Sequence, residues 1–316
     1  MKTAKWYSLA LLLALARPAP ATLFLAWEED LRGTYTGQDD VVGEIRSLGG
    51  SVRKVLADRR GDRVILFLQA EAVHNLSEAL LHQAYGEWKG PMGRWNVALG
   101  RVPLPWGLLT DWSPDRMPYA SPYEPTRTLS SDNGLLLRGT LGLWDYGAAL
   151  TQGYGMETIE DFPGPGNATF RLGLTPGLDE AFTLGLSATA GKIYASEDGH
   201  GMGETVEERR KAVALDATWH VGRGTLRFEG GARRTSSRWL GTAFAAADYA
   251  WLPRVTLQFA GHVYEHAESH VFGRAYAGVS VPLPTVTIRG GYEHAHTHED
   301  EHRLVVQLYR YWGAVR

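Results

Sequence analysis

The stretch "TLRFEGGARR", Thr225 to Arg234, carries opposed chemistries on alternate residues. In a β-strand, Leu226, Phe228 and Ala232 fall on one side while Thr225, Arg227, Glu229 and Arg233 fall on the other. A wet-faced soluble sheet suits that alternation. So does the wall of a water-filled cylinder set in lipid. The rest of the chain decides between them.

From Leu31 onward, short alternating segments of about 8 to 12 residues follow one another, the length a tilted strand needs to cross a bilayer. Two kinds of connector separate them. Tight ones, rich in Gly, Pro and Asp, fall at 59–62, 90–93, 143–145, 175–179, 221–224, 252–254 and 282–285. Longer polar ones fall at 38–50, 73–78, 103–133, 156–166, 192–209, 235–240, 266–269 and 296–301. Strict alternation of short turns and long loops is the pattern of a transmembrane antiparallel up-and-down β-barrel. The expected class is therefore all-β, with about 16 strands and 14 as the other count. Residues 74–88 also carry a helix-like stripe (Ala79, Leu80, Ala84, Trp88), and their neighbours make them a strand.

Composition agrees. The 316 residues include 37 Gly, 11 Trp, 14 Tyr and 9 Phe, abundances typical of strand-rich chains. No cysteine is present, which excludes disulfides, cysteine-ligated zinc, iron–sulfur clusters and covalent c-type haem. The formal charge is −3 and no basic block tracks phosphates, so no nucleic-acid partner is expected. Lys2 and Lys5 precede an apolar run from Trp6 to Ala16, and Ala19-Pro20-Ala21 resembles a signal-peptidase site. Residues 1–21 are expected to be a cleaved signal peptide and 22–316 a single outer-membrane barrel domain. No later apolar run is long enough for a spanning helix, so the membrane is crossed by strands.

Facing follows from parity. Outward, toward lipid, are residues such as Trp95, Val97, Leu99, Leu137, Phe170, Leu215, Trp219, Phe259, Val306 and Leu308. The inward, lumen-wall set includes Glu71, Glu87, Arg171, Asp216, Arg227, Glu229, Asp248, Arg274 and Arg289. The third long connector, 103–133, holds six prolines and four aromatics and is too long to be structureless in a compact fold. Folded inward, it narrows the lumen and sets Asp111, Asp115, Arg116, Glu124 and Arg127 against the wall residues Arg94 and Arg138. Fixed charges at such a constriction sort solutes by size and charge.

Sixteen strands with a long third loop resemble the trimeric outer-membrane porins of Gram-negative bacteria. A local likeness is carried by "HQAYGEW" (82–88) and "NVALGRVPLPWG" (96–107). These are similar to segments of phosphate-type, substrate-selective porins and of porin-like proteins that accompany multihaem cytochromes, where AY-x-x-W/F precedes GR-x-x-x-P-W/F-G. The resemblance implies a passive diffusion channel for small hydrophilic solutes or ions, a homotrimer in outer-membrane lipid, and no catalysis. The alternative it carries is a sheath for an outer-membrane cytochrome partner. Two departures stand out: the chain ends "YRYWGAVR", with Trp312 short of the terminus, and it lacks a lysine-rich lumen ladder, so phosphate is not carried over.

Histidines form the remaining cluster. His266 and His270 sit at the seventh long connector, and His294, His296, His298 and His302 at the eighth. With Glu293, Glu299, Asp300 and Glu301 they offer donors for a divalent Zn, Cu or Ni ion, and the second alternative is a metal-binding outer-membrane barrel or a barrel enzyme that uses these His-rich loops. "HEDEH" (298–302) matches H-E-x-x-H in letters only, because its mechanism needs both histidines on one helical face and strands flank the motif here. No P-loop or G-x-S-x-G elbow is present.

Overall fold

In the computed structural model, the described residues are 21–37, 41–59, 61–110, 117–118, 129–155, 166–177, 181–196, 205–234, 238–265, 270–296 and 300–315. Residues 1–20, most of the expected leader, lie outside them. The first four strands are β1 (Ala21–Tyr35), β2 (Val41–Asp58), β3 (Gly61–Val73) and β4 (Glu78–Lys89). Next come β5 (Asn96–Pro103), β6 (Ser131–Leu141), β7 (Trp144–Thr151) and β8 (Asn167–Leu174). The second half holds β9 (Phe182–Ser196), β10 (Thr205–Val221), β11 (Gly224–Arg234) and β12 (Trp239–Leu252). It finishes with β13 (Val255–Glu265), β14 (Val271–Pro282), β15 (Thr287–His296) and β16 (Asp300–Val315). Each strand pairs with its sequence neighbours, and β1 pairs with β16, so all sixteen close into one barrel without an edge.

Parity sorts the side chains as the opening stretch predicts. In β11, Leu226 and Phe228 are 42% and 51% exposed, while Glu229 between β10 and β12 is 4% exposed. An outward row runs Leu172, Leu186, Leu215 across β8, β9 and β10. Exposed large apolar groups would be a fault in water. Facing hydrocarbon, they are what a membrane barrel requires. Trp88, Trp95, Trp144, Trp219, Trp251 and Trp312 gather at the tight-turn end, and Tyr35, Trp239 and Tyr292 mark the loop end. Such aromatic girdles sit at membrane–water interfaces.

Several boundaries differ from the sequence reading. Residues 41–50, expected in a loop, form the first half of β2. Asp30 pairs with Ser47 but Leu31 with Ile45, leaving Arg46 as an extra, bulged residue. The bulge reverses parity within the stretch, which hides its alternation. Likewise β9 and β10 extend through parts of 192–209 as a long hairpin, clasped by Lys192 and Glu207 at 2.9 Å. The region 78–89 is strand, and the turn before it is built from His74, Asn75 and Leu76, all with positive φ. Asn75 docks that turn on β2 by accepting from the Ile45 N–H at 2.8 Å. Trp312 pairs with Trp27, and the last strand continues to Val315.

Leu215 lies mid-strand on the outward face, so Leu215→Arg should cost about 2–4 kcal/mol of stability in lipid vesicles. Denaturant unfolding checks this, with the inward Gln69→Arg expected to leave the midpoint near that of the parent.

Candidate constriction inside the barrel

The third long connector turns into the lumen as soon as β5 ends. Gly100 permits the departure: its φ is +128°, and a Cβ there would lie 2.3 Å from the Ala84 carbonyl oxygen. Leu104 then packs on Ala98, Val102, Leu136 and Ala149, its N–H donating to the Ser130 carbonyl at 3.0 Å. Pro105 rests on Gly147, where a Cβ would approach to 2.6 Å. Trp106, fully buried, packs against Ala212 and Ala214 of β10. Small inward residues on β7 and β10 thus form the floor on which the connector lies.

A short 3-10 turn over Gly107–Thr110 fixes the next segment. The Gly107 N–H donates to Ser187 Oγ at 2.9 Å, and the Leu108 N–H donates to Glu229 Oε2 at 3.0 Å. Gly107 has φ +47°, and a Cβ would fall 2.2 Å from that same Glu229 oxygen, so only glycine fits. The Leu108 side chain packs with Phe244, Ala246 and Tyr276, joined by Met117. Met117 Sδ stands 3.7 Å from Gln258 Nε2 on β13. On the return, buried Asp132 accepts from the N–H groups of Gly153 at 2.5 Å, Asn133 at 2.8 Å and Gly155 at 3.2 Å. The described parts of the connector, 104–110, 117–118 and 129–133, are therefore held on the β7–β14 side of the lumen, and Asp132 ties its base to the residues that lead into the fourth long connector.

Wall charges are wired to one another across strands. Arg171 bridges Asp145 at 2.7 Å and Asp216 at 2.9 Å. To reach Asp216 it passes over β9 at Gly185, where a Cβ would lie 2.6 Å from its Nη2. Arg138 Nε meets Glu87 at 2.9 Å across β5. Arg227 pairs with Asp248, which also accepts from Gln258 at 3.1 Å. Arg289 donates to Gln307 at 2.9 Å, and Gln307 donates to Asp30 at 2.8 Å, itself 2.7 Å from Arg32. Glu71 meets His82, and Arg274 lies opposite His262.

The residues proposed from sequence divide accordingly. Glu71, Glu87, Arg171, Asp216, Arg227, Glu229, Asp248, Arg274 and Arg289 all point inward, yet Glu229 holds the connector's backbone instead of meeting open lumen. Arg94 is a correction: it belongs to the tight connector after Pro91–Gly93, where its carbonyl accepts from Tyr146 Oη at 2.8 Å. That is the opposite end of β5 from the inward loop. Arg138, level with Asn96, also lies toward the tight-turn end. Asp111, Asp115, Arg116, Glu124 and Arg127 lie outside the described residues. Ser131 to Asn133, expected in the loop, start β6, and Pro103 ends β5. Among the histidines, His294 and His302 stand side by side, His296 meets Asp300, and His270 precedes β14. His266 and His298 lie outside the described residues, and Asp300 to His302 are strand, so "HEDEH" makes no helical zinc site.

Sequence reasoning missed the anchors Trp106, Ser187 and Asp132. The first carried a signal in "PLPWG", which reads as stiffness until its alanine floor is known.

No protein-family model matches the sequence, and no curated protein matches it. Solved structures do. The trimer form of in-vitro folded OmpT, an outer membrane protein of Vibrio cholerae, superposes with TM-score 0.69 at 10% identity, over 92% of this chain and 99% of that one. Salmonella typhi OmpF, in complex with daunomycin, gives 0.66 at 12% identity over 92% and 97%. An anion-selective porin from Comamonas acidovorans gives 0.66 at 11% identity over 92% and 100%. At such identities the likeness is one of fold, and the fold is that of the outer-membrane porins.

Proposed function

We propose that the chain is a water-filled outer-membrane channel for passive diffusion of small hydrophilic solutes or ions, narrowed by the connector between β5 and β6, and that it catalyses no reaction. One observation carries this reading: the connector is bound inside the cylinder by named contacts to several strands, from Gly147 on β7 to Tyr276 on β14. A loop built to cover a rim has no use for a buried tryptophan and an inward glutamate. The inward wall is charged and self-neutralising in ladders, which keeps water in the lumen while holding the side chains still.

A homotrimer in outer-membrane lipid is part of the same proposal. The outward face of β2 to β4 carries Gly50, Ala70, Ala72, Ala84 and Gly86, small residues that let two walls approach closely. Beside it, Glu29 and Arg310 face outward as a pair 3.7 Å apart, with Trp27 Nε1 donating to Glu29 at 3.0 Å. Charge on an outer wall is better accommodated against protein than against acyl chains. Chemical cross-linking in native membranes should give a trimer; a monomer ladder removes this part of the proposal.

In planar bilayers the purified chain should give stepwise conductance. Replacing 105–129 by a short Gly/Ser linker should roughly double the step, since the constriction then disappears. An unchanged step means the connector does not set the limiting cross-section. A parent without conductance points to a barrel whose lumen houses a partner.

Trp106→Ala tests the anchor itself. Emptying a fully buried tryptophan site typically costs roughly 3–5 kcal/mol, enough to release a loop held by a few such contacts. Larger, noisier steps are expected, together with proteolytic cleavage within the connector that the parent resists.

A further inference from the structure

The outer wall of the last hairpin carries a feature that a diffusion channel does not use. Outward positions on β15 pass from Ile288 through Tyr292 to His294 and His296, and those on β16 from Leu304 to His302 and Asp300. His294 stands directly opposite His302, and His296 opposite Asp300. Between them, Glu293 and Ala295 turn inward and are 4% and 1% exposed. The imidazoles are therefore on the outside of the cylinder, at its loop end.

Their geometry is specific. His294 Nδ1 and His302 Nδ1 are 3.3 Å apart, with the rings stacked at 4.8 Å between centroids. Two nitrogens each ~2.0–2.1 Å from a tetrahedral zinc ion are separated by roughly 3.3 Å. Asp300 Oδ1 lies 3.9 Å from His294 Nε2, the nitrogen turned away from the Nδ1 pair, and 2.7 Å from His296 Nδ1, so this carboxylate, oriented by a further imidazole, comes within reach of an ion when the His294 ring turns. The Tyr292 hydroxyl contacts His302 Nδ1 from the apolar side.

We propose that this rim binds one divalent transition-metal ion, zinc or a similar imidazole-seeking metal, through His294 and His302, with Asp300 as the third ligand and His296 holding that carboxylate. Among the described residues no three donors already converge. Stacked rings aim their in-plane lone pairs past each other, and χ2 of histidine is a broad, soft torsion. Rotation of one half-exposed ring brings the two lone pairs to a common point. The Nδ1–Nδ1 contact and the Tyr292 hydroxyl's contact with His302 Nδ1 are given up in exchange for two metal–nitrogen bonds.

The full chain, folded in detergent, should be titrated with zinc chloride against a chromophoric chelator. One equivalent should bind. His294→Ala and His302→Ala should each weaken binding by roughly a hundredfold, and Asp300→Asn by roughly tenfold, with folding verified by heat-modifiable gel mobility. His220→Ala, at the tight-turn end and bonded to Thr225, should change nothing. The combined replacement of His266, His270 and His298 by alanine should also leave binding intact. Loss of zinc in that triple variant would place the ion on the loops instead, and binding that survives the removal of His294 and His302 would overturn the site. Absence of stoichiometric binding by the parent would do so as well.

Discussion

Closure between β1 and β16 is the constraint from which the rest follows. In hydrocarbon every backbone N–H and C=O must find an internal partner, so an open sheet edge is not tolerated. The chain meets this by pairing its two ends from Phe24 with Val315 to Tyr35 with Leu304. Once the ring is shut, side-chain parity is no longer a local matter. Each residue is committed either to lipid or to the lumen, and a one-residue slip would exchange the two along a whole strand. The bulge at Arg46 shows how parity is adjusted without breaking the ring.

Inside, closure brings like charges together, and the connector helps resolve the conflict. Asp216 and Glu229 stand directly opposite on β10 and β11, both inward and both almost wholly buried. Adjacent carboxylates on one face repel. Arg171 takes the first from β8, and the Leu108 N–H takes the second from the inward loop. The loop is thus part of the electrostatic balance of the wall, which explains why it lies against β9 to β11. Its glycine at 107 is needed because the carboxylate occupies the space a Cβ would fill.

What was legible in the sequence followed from short-range pattern. "TLRFEGGARR" declared its lipid face through Leu226 and Phe228, and strand number followed from the alternation of tight and long connectors. Contacts between distant residues left no such trace. Parity turns Glu229 inward, but its partner Leu108 is 121 residues away and offers a backbone N–H that no side-chain pattern announces. Parity makes Arg94, next to outward Trp95, a wall residue; the turn Pro91–Gly93 that places it at the other end from the inward loop depends on Met92 and Gly93 at positive φ. The imidazole pair was half legible. The i, i+2 spacing of His294 and His296 places them on one side of an extended strand, whereas the opposition of His294 to His302 depends on the hairpin register.

The last hairpin shows how far alternation separates two roles on one piece of chain. Its inward residues belong to the wall: Arg289 to Gln307, and Glu293 beside Arg303 at 3.9 Å. Its outward residues carry the imidazoles and belong to the surroundings of the barrel. Between the two sets runs a backbone paired with β14 along β15 and with β1 from Leu304 onward. A metal ion on the outer face would add positive charge at the rim without altering the inward ladders. The proposed conduction and the proposed metal site therefore draw on opposite faces of the same two strands, on residues that differ by one position in sequence and by the thickness of a β-sheet in space.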